Sequence, residues 1–175
     1  LKIQDNSIRN IFVHSVGLGE HEGEAPFYAP EGANAGQGTF HEKRGKSVGR
    51  PIGKLAIVRG DTLLSAVGRV DLIKIDVEGY EPNVLIGLAE TIARDHPVLV
   101  FEYSAETRAG FGSFERMSAS VGAGHIFALK PAGSSYELGP FDFGSSEGYV
   151  VVIPYEKAAL FDLTVPDKLR PVVPA

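Results

Sequence analysis

Two nearly unbroken apolar runs dominate the hydrophobic pattern. Residues 70–77 (VDLIKIDV) and 98–103 (VLVFEY) each have the length and side-chain branching of a β-strand buried on both faces of a parallel sheet. Between them, residues 81–94 (EPNVLIGLAETIAR) follow a helical period: Val84, Leu85, Leu88, Ala89 and Ile92 fall on one stripe. Pro82 suits the first helical turn, and Asp95-His96-Pro97 stops the helix. Strand, helix and strand in this order predict a βαβ unit, with a right-handed crossover and parallel pairing.

The flanking pattern is weaker. Residues 1–10 read as the tail of a helix, and 11–18 (IFVHSVGL) as a strand stopped at Gly17 and Gly19. A turn and a short strand around Phe27 and Tyr28 follow. Residues 30–54 are Gly-rich without periodicity, which predicts a long mobile loop. A short strand is expected over 55–59, then a short helix from Thr62 to Val67 with Asp61 as its N-cap. Beyond the βαβ unit the pattern predicts a weaker helix over 106–121 and strands at 125–129, 136–138 and 148–153. No helical period lies between 130 and 148, so the strands on either side are expected to pair antiparallel. A short helix is expected near Lys157–Leu163. The whole chain, 1–175, reads as a single α/β domain without internal repeats.

Composition narrows the possible chemistry. The chain has 175 residues and no Cys, which removes disulfides, thiolate metal sites and a cysteine nucleophile together. Seventeen basic against 22 acidic residues leave a net charge of −5, so nucleic acid and anionic membrane are poor partners. No apolar run is long enough to span a membrane, and none at the N-terminus resembles a signal peptide, so a cytoplasmic location is expected. The chain begins with Leu1 rather than Met, as a processed product or a fragment would. Its oligomeric state is left open.

In open α/β sheets, ligands bind beyond the carboxyl ends of the strands. Asp76 and Glu78 close the first apolar run and Glu102 closes the second. Adjacent parallel strands would bring these carboxylates within about 10 Å on one rim. There they could take a proton, orient a substrate or hold a divalent cation. Glu78 has a competing role as a favourable charge at the next helix's N-terminus. Lys74, inside the apolar run, calls for a structural ion pair. The five histidines form no zinc-type spacing; His41, beside Thr39 and Phe40, is a candidate substrate contact and His96 a structural residue. Lys43, Arg44, Lys46, Arg50 and Lys54 read as a solvated basic stretch. The dinucleotide, Walker and nucleophile-elbow fingerprints are missing.

The run DLIKIDVEGYEPNVLIGLAETI (71–92) followed by HPVLVFEYS (96–104) resembles the FkbM family of S-adenosylmethionine-dependent methyltransferases. Asp71, Lys74, Asp76, Glu78, Gly79, Glu81, Leu85, Gly87 and Glu102 all match the family's pattern. Residues 10–18 are similar to its third strand, 22–28 to the segment after it, and Asn34–Phe40 to its polar loop. The resemblance implies a Rossmann-like class I methyltransferase sheet of order 3-2-1-4-5-7-6, mostly parallel with an antiparallel C-terminal strand. It implies S-adenosylmethionine as cofactor and methylation of a hydroxyl on a sugar or another small-molecule acceptor. Asp76, Glu78 and Glu102 would then be catalytic, and Gly17, Leu18 and Gly19 would lie near the adenine. Thr39 and His41 would contact the acceptor.

The family's first strand, its Gly-rich turn and its acidic second strand have no counterpart in these residues. A sheet truncated at the N-terminus, or one re-paired in another way, is therefore expected, with weak cofactor binding by the chain alone. Two other readings stay open. One is a metal-dependent enzyme using the three carboxylates; the other is a non-catalytic remnant that has lost its cofactor-binding half.

Overall fold

The computed structural model describes residues 9–30 and 38–161. The helical tail expected over 1–10 falls almost wholly outside the described residues.

Five strands form the main sheet. They are β4 (Leu72–Ile75), β5 (Val98–Tyr103), β6 (Gly124–Ala132), β7 (Ser135–Pro140) and β8 (Gly148–Pro154), in the order β4-β5-β8-β6-β7. β4 and β5 run parallel, with Leu72 opposite Val98 and Ile75 opposite Phe101. This is the predicted βαβ unit. β8 runs antiparallel to both β5 and β6, as the missing helix between 130 and 148 implied. The order β4-β5-β8-β6, with β8 reversed, follows the 4-5-7-6 half of the sheet the resemblance implied.

The other half differs. β1 (Gly17–Gly19), β2 (Gly23–Pro30) and β3 (Gly49–Arg59) form a separate three-stranded sheet of order β1-β3-β2. β1 pairs parallel with β3 rather than with β4. Four of the six strand pairings are antiparallel, so the sheets are mixed and the expected mostly parallel sheet is not found. β4 is an edge strand, not one buried on both faces: Leu72 is 60% exposed and Lys74 faces solvent, while Ile75 is buried.

Of the stretch expected to be a loop over 30–54, the described residues include a helix and the start of a strand, while 31–37 lie outside the described residues. His41 caps helix α1 (Glu42–Val48), its Nδ1 accepting from the Arg44 N–H, and Lys46 pairs with Glu42 one turn away. β3 then starts at Gly49 and pairs with the whole length of β2. The expected strand over 11–18 shrinks to Gly17–Gly19, where its end is expected, and Ile11, Phe12 and Val13 are exposed.

Helix α2 (Gly60–Leu63) is one turn long. Asp61 does not cap it. Its carboxylate accepts from the backbone N–H groups of Glu90 and Thr91 and so caps α4 (Ala89–Asp95). The single helix expected over 81–94 is therefore two, α3 (Glu81–Ile86) and α4, separated at Gly87-Leu88. α5 (Ala105–Phe111) and α6 (Phe114–Val121) divide the next predicted helix, each capped by a serine, Ser104 and Ser113. A 3₁₀ turn over Tyr155–Phe161 ends the described chain.

The main core lies between the sheet and α3–α6. It contains Leu85, Leu88, Leu99, Phe101, Tyr103, Met117, Val150 and Val152. Val98, Phe127, Val151 and Ile153 build a smaller cluster from the alternate positions, on the other face.

Candidate active site

The site grows from the turn that joins β4 to α3. Glu78 and Gly79 both adopt positive φ, +56° and +95°. For Glu78 that conformation costs energy, and neighbouring contacts hold it. The Glu81 side chain is fully buried; its Oε1 accepts from the N–H groups of Val77 (3.1 Å) and Gly79 (3.3 Å), and its Oε2 from the Thr107 hydroxyl (2.8 Å). From the opposite side the Thr39 hydroxyl donates to the carbonyl oxygens of Glu78 (2.9 Å) and Val77 (3.1 Å). The turn is pinned at both its donors and its acceptors.

This turn brings the three predicted carboxylates together. One oxygen from each of Asp76, Glu78 and Glu102 lies within 4.8 Å of the others. Their electrostatic situations differ. Asp76 Oδ2 accepts from Lys74 Nζ (2.6 Å) and from the Tyr149 hydroxyl (2.8 Å). The Lys74 hydrogen bond outweighs partial burial and, with Tyr149, holds the Asp76 carboxyl below its usual range. Glu78 is ion-paired with Arg44, whose other terminal nitrogen lies 3.9 Å from Glu106. Among the described residues Glu102 forms no ion pair, and its buried Oε2 has no hydrogen-bond partner. Burial, reinforced by the charges of Glu78, Glu81 and Asp76, pushes the Glu102 carboxyl above its usual range, and Arg44 offsets only part of this.

Beside the cluster a cleft of about 390 Å³ opens between β1 and the free edge of β4. Asp76 and Lys74 are its charged residues, and Gly17, Leu18, Phe40 and Tyr80 are among its walls. The volume lies in the range of small-molecule pockets.

Of the sequence-predicted residues, Asp76, Gly17 and Leu18 line this cleft, and Glu78 and Glu102 stand beside Asp76. Gly19 does not line it; it is buried, and a Cβ there would lie 2.8 Å from Ile57. Thr39 and His41 are not wall residues either. Thr39 is 1% exposed with its hydroxyl spent on the turn, and His41 serves as the cap of α1. The structural readings of Lys74 and His96 agree with their contacts: Lys74 pairs with Asp76, and His96 with Glu156. The reading of Arg44 as a solvated cation does not, because it is mostly buried against Glu78.

Arg44 and Tyr149 are the site residues that sequence reasoning missed. A basic residue one turn into a capped helix was the available signal for Arg44. For Tyr149 it was a residue at the start of a strand that runs against its neighbours.

A family model described as the methyltransferase FkbM domain matches residues 2–125. Comparisons with curated proteins and with solved structures gave no match.

Proposed function

The chain belongs to the FkbM methyltransferase domain family, and from that membership we propose that it methylates a hydroxyl oxygen of a sugar or another small metabolite with S-adenosylmethionine. The observation that supports this reading best is the grouping of Asp76, Glu78 and Glu102 beside an apolar cleft that Asp76 enters.

The cleft suits the cofactor at its sulfonium end. Among the described residues the three carboxylates pair with two cations, Lys74 and Arg44, so the local charge favours a positive group. When bound, S-adenosylmethionine supplies an electrophilic methyl group. Gly17 and Leu18 form the wall assigned to its adenine side. Asp76 orients the acceptor hydroxyl against the cleft. Glu102, beside Asp76, is the residue we assign to accept the hydroxyl proton: its carboxyl is raised above its usual range while that of Asp76 is lowered, so it is the stronger base of those two. Glu78, committed to Arg44, shapes the rim.

Incubation with methyl-labelled S-adenosylmethionine and a panel of hydroxylated metabolites tests this. Label should pass to an acceptor, and Asp76→Ala should cut that transfer strongly. Full transfer by Asp76→Ala would remove Asp76 from the mechanism.

The spacing of the same three oxygens favours a second reading, a divalent cation held among them. Lys74 on Asp76 and Arg44 on Glu78 already neutralise two of the three, which weighs against it. Transfer that survives exhaustive chelation would exclude it.

A further inference from the structure

Asp76 is held by a residue from a strand that the matched family region does not reach. β8 runs antiparallel to β5, so its first residues come to the rim where β4 and β5 end. Tyr149 is in register with Glu102, and directly opposed residues project to the same face of a sheet. From that position the target lies beyond β5, on the chain leaving β4. Two strand spacings, about 9.6 Å, separate the two backbones. A serine or threonine would fall short, whereas a tyrosine carries its donor across.

Its hydroxyl meets Asp76 Oδ2 at 2.8 Å. Lys74, two residues before Asp76 and on the same face of β4, reaches the same oxygen at 2.6 Å, and its Nζ stands 5.4 Å over the Tyr149 ring. Each of the three side chains thus restrains the other two. Asp76 Oδ1 takes no hydrogen bond among the described residues.

We propose that Tyr149 is a positioning residue: with Lys74 it fixes Asp76 in one rotamer by its Oδ2 and leaves Oδ1 to a ligand's hydrogen-bond donor. The inference rests on the reading of Asp76 as the residue that faces the acceptor. A Phe at 149 would keep the packing and the ring under Lys74 but lose the donor.

Three-bond nitrogen–carbon couplings across χ1 of Asp76 test the proposal without any ligand. The unaltered protein should show one dominant rotamer. In Tyr149→Phe its preference over the others should fall about tenfold, the effect of losing one hydrogen bond to a charged group. Lys74→Met should act in the same direction through the other arm. Signals of Met117, deep in the core, report that each variant is folded. An Asp76 rotamer already averaged in the unaltered protein, or unchanged in folded Tyr149→Phe, overturns the proposal. Addition of S-adenosylmethionine with a hydroxylated acceptor tests the underlying reading separately. If Asp76 signals ignore that mixture while the rotamer depends on Tyr149, the functional reading fails and the positioning role stands.

Discussion

The buried carboxylate of Glu81 takes the Thr107 hydroxyl on one oxygen at 2.8 Å and spends the other on the turn that carries Glu78. It ties the start of α5 to the end of β4, so the acidic cluster depends on a residue that faces no solvent. Glu81→Ala would leave the Val77 and Gly79 N–H groups and the Thr107 hydroxyl without their acceptor. A loss of about 3 kcal/mol in chemical denaturation is expected, and about 1–2 for Thr107→Val, which strands only one oxygen. Equal stability of Glu81→Ala and the parent would contradict this role.

Gly87 separates α3 from α4 because nothing larger fits. A Cβ there would lie 2.0 Å from the Gly19 carbonyl oxygen, and the Gly87 carbonyl itself accepts from the Asp61 N–H at 2.9 Å. Its φ of −70° suits any residue, so the constraint is purely one of close approach. Gly87→Ala should therefore cost about 1–3 kcal/mol by pushing β1 away from α3. The same displacement would move Gly17 and Leu18, which wall the cleft, so weaker binding of the proposed cofactor should accompany the loss. A calorimetric titration and a denaturation curve on the same sample check both effects.

The parts of the fold legible in the sequence were those set by local periodicity. The stripe of Val84, Leu85, Leu88 and Ile92 gave the helical layer, and the apolar runs around it gave β4 and β5. The strand-end rule placed Asp76, Glu78 and Glu102 together because parallel neighbours must end at one rim. The strand expected over 55–59 is the end of β3; its first part, 49–54, was hidden because Pro51 and Gly53 interrupt it and its side chains are mostly exposed, so no alternation marks it. Its stability comes from pairing with β2, a non-local fact. The pairing of Tyr149 with Asp76 was out of reach for a related reason: the two are 73 residues apart and meet only through the register of β8. Asp61 was assigned to the right kind of task but the wrong helix, since a cap can serve any nearby N-terminus once the chain is folded.

Asp61 gives the acid side of the stability profile a specific origin. Burial would raise its pKa, but the Thr91 and Glu90 N–H groups and Arg59 outweigh burial and hold it below its ordinary 3.8. A carboxyl whose pKa is lower in the folded chain adds stability above its unfolded value and loses it as pH falls through the folded one. That contribution is full at neutral pH, starts to fall near pH 3.8 and is gone below the lower folded value. Asp61→Ala should cost about 1–2 kcal/mol at pH 7, the range for a lost helix cap, and less at pH 3. Denaturation curves at the two pH values decide it; a cost that does not shrink at pH 3 would assign the effect to packing.

Glu102 should show the opposite sign. Its pKa is raised on folding, first by burial and then by the charges of Glu78 and Glu81, so the folded chain binds its proton more tightly than the unfolded one. Its contribution is most favourable below the ordinary 4.5 and is lost as pH rises through the raised folded value. Ionising Glu102 in the folded chain therefore costs stability. Glu102→Gln removes the charge at nearly constant shape and supplies an amide donor to the neighbouring carboxylates. The variant should melt at a higher temperature than the parent at pH 7.5, with the difference closing toward pH 4, and it should lose methyl transfer. On the proposed assignment of Glu102 as the base, transfer by the parent should rise with pH as its carboxyl, raised above the usual range, loses its proton. A variant that melts lower at pH 7.5 would show that Glu102 is a stabilising partner in the cluster, and one that still transfers methyl would move the base elsewhere.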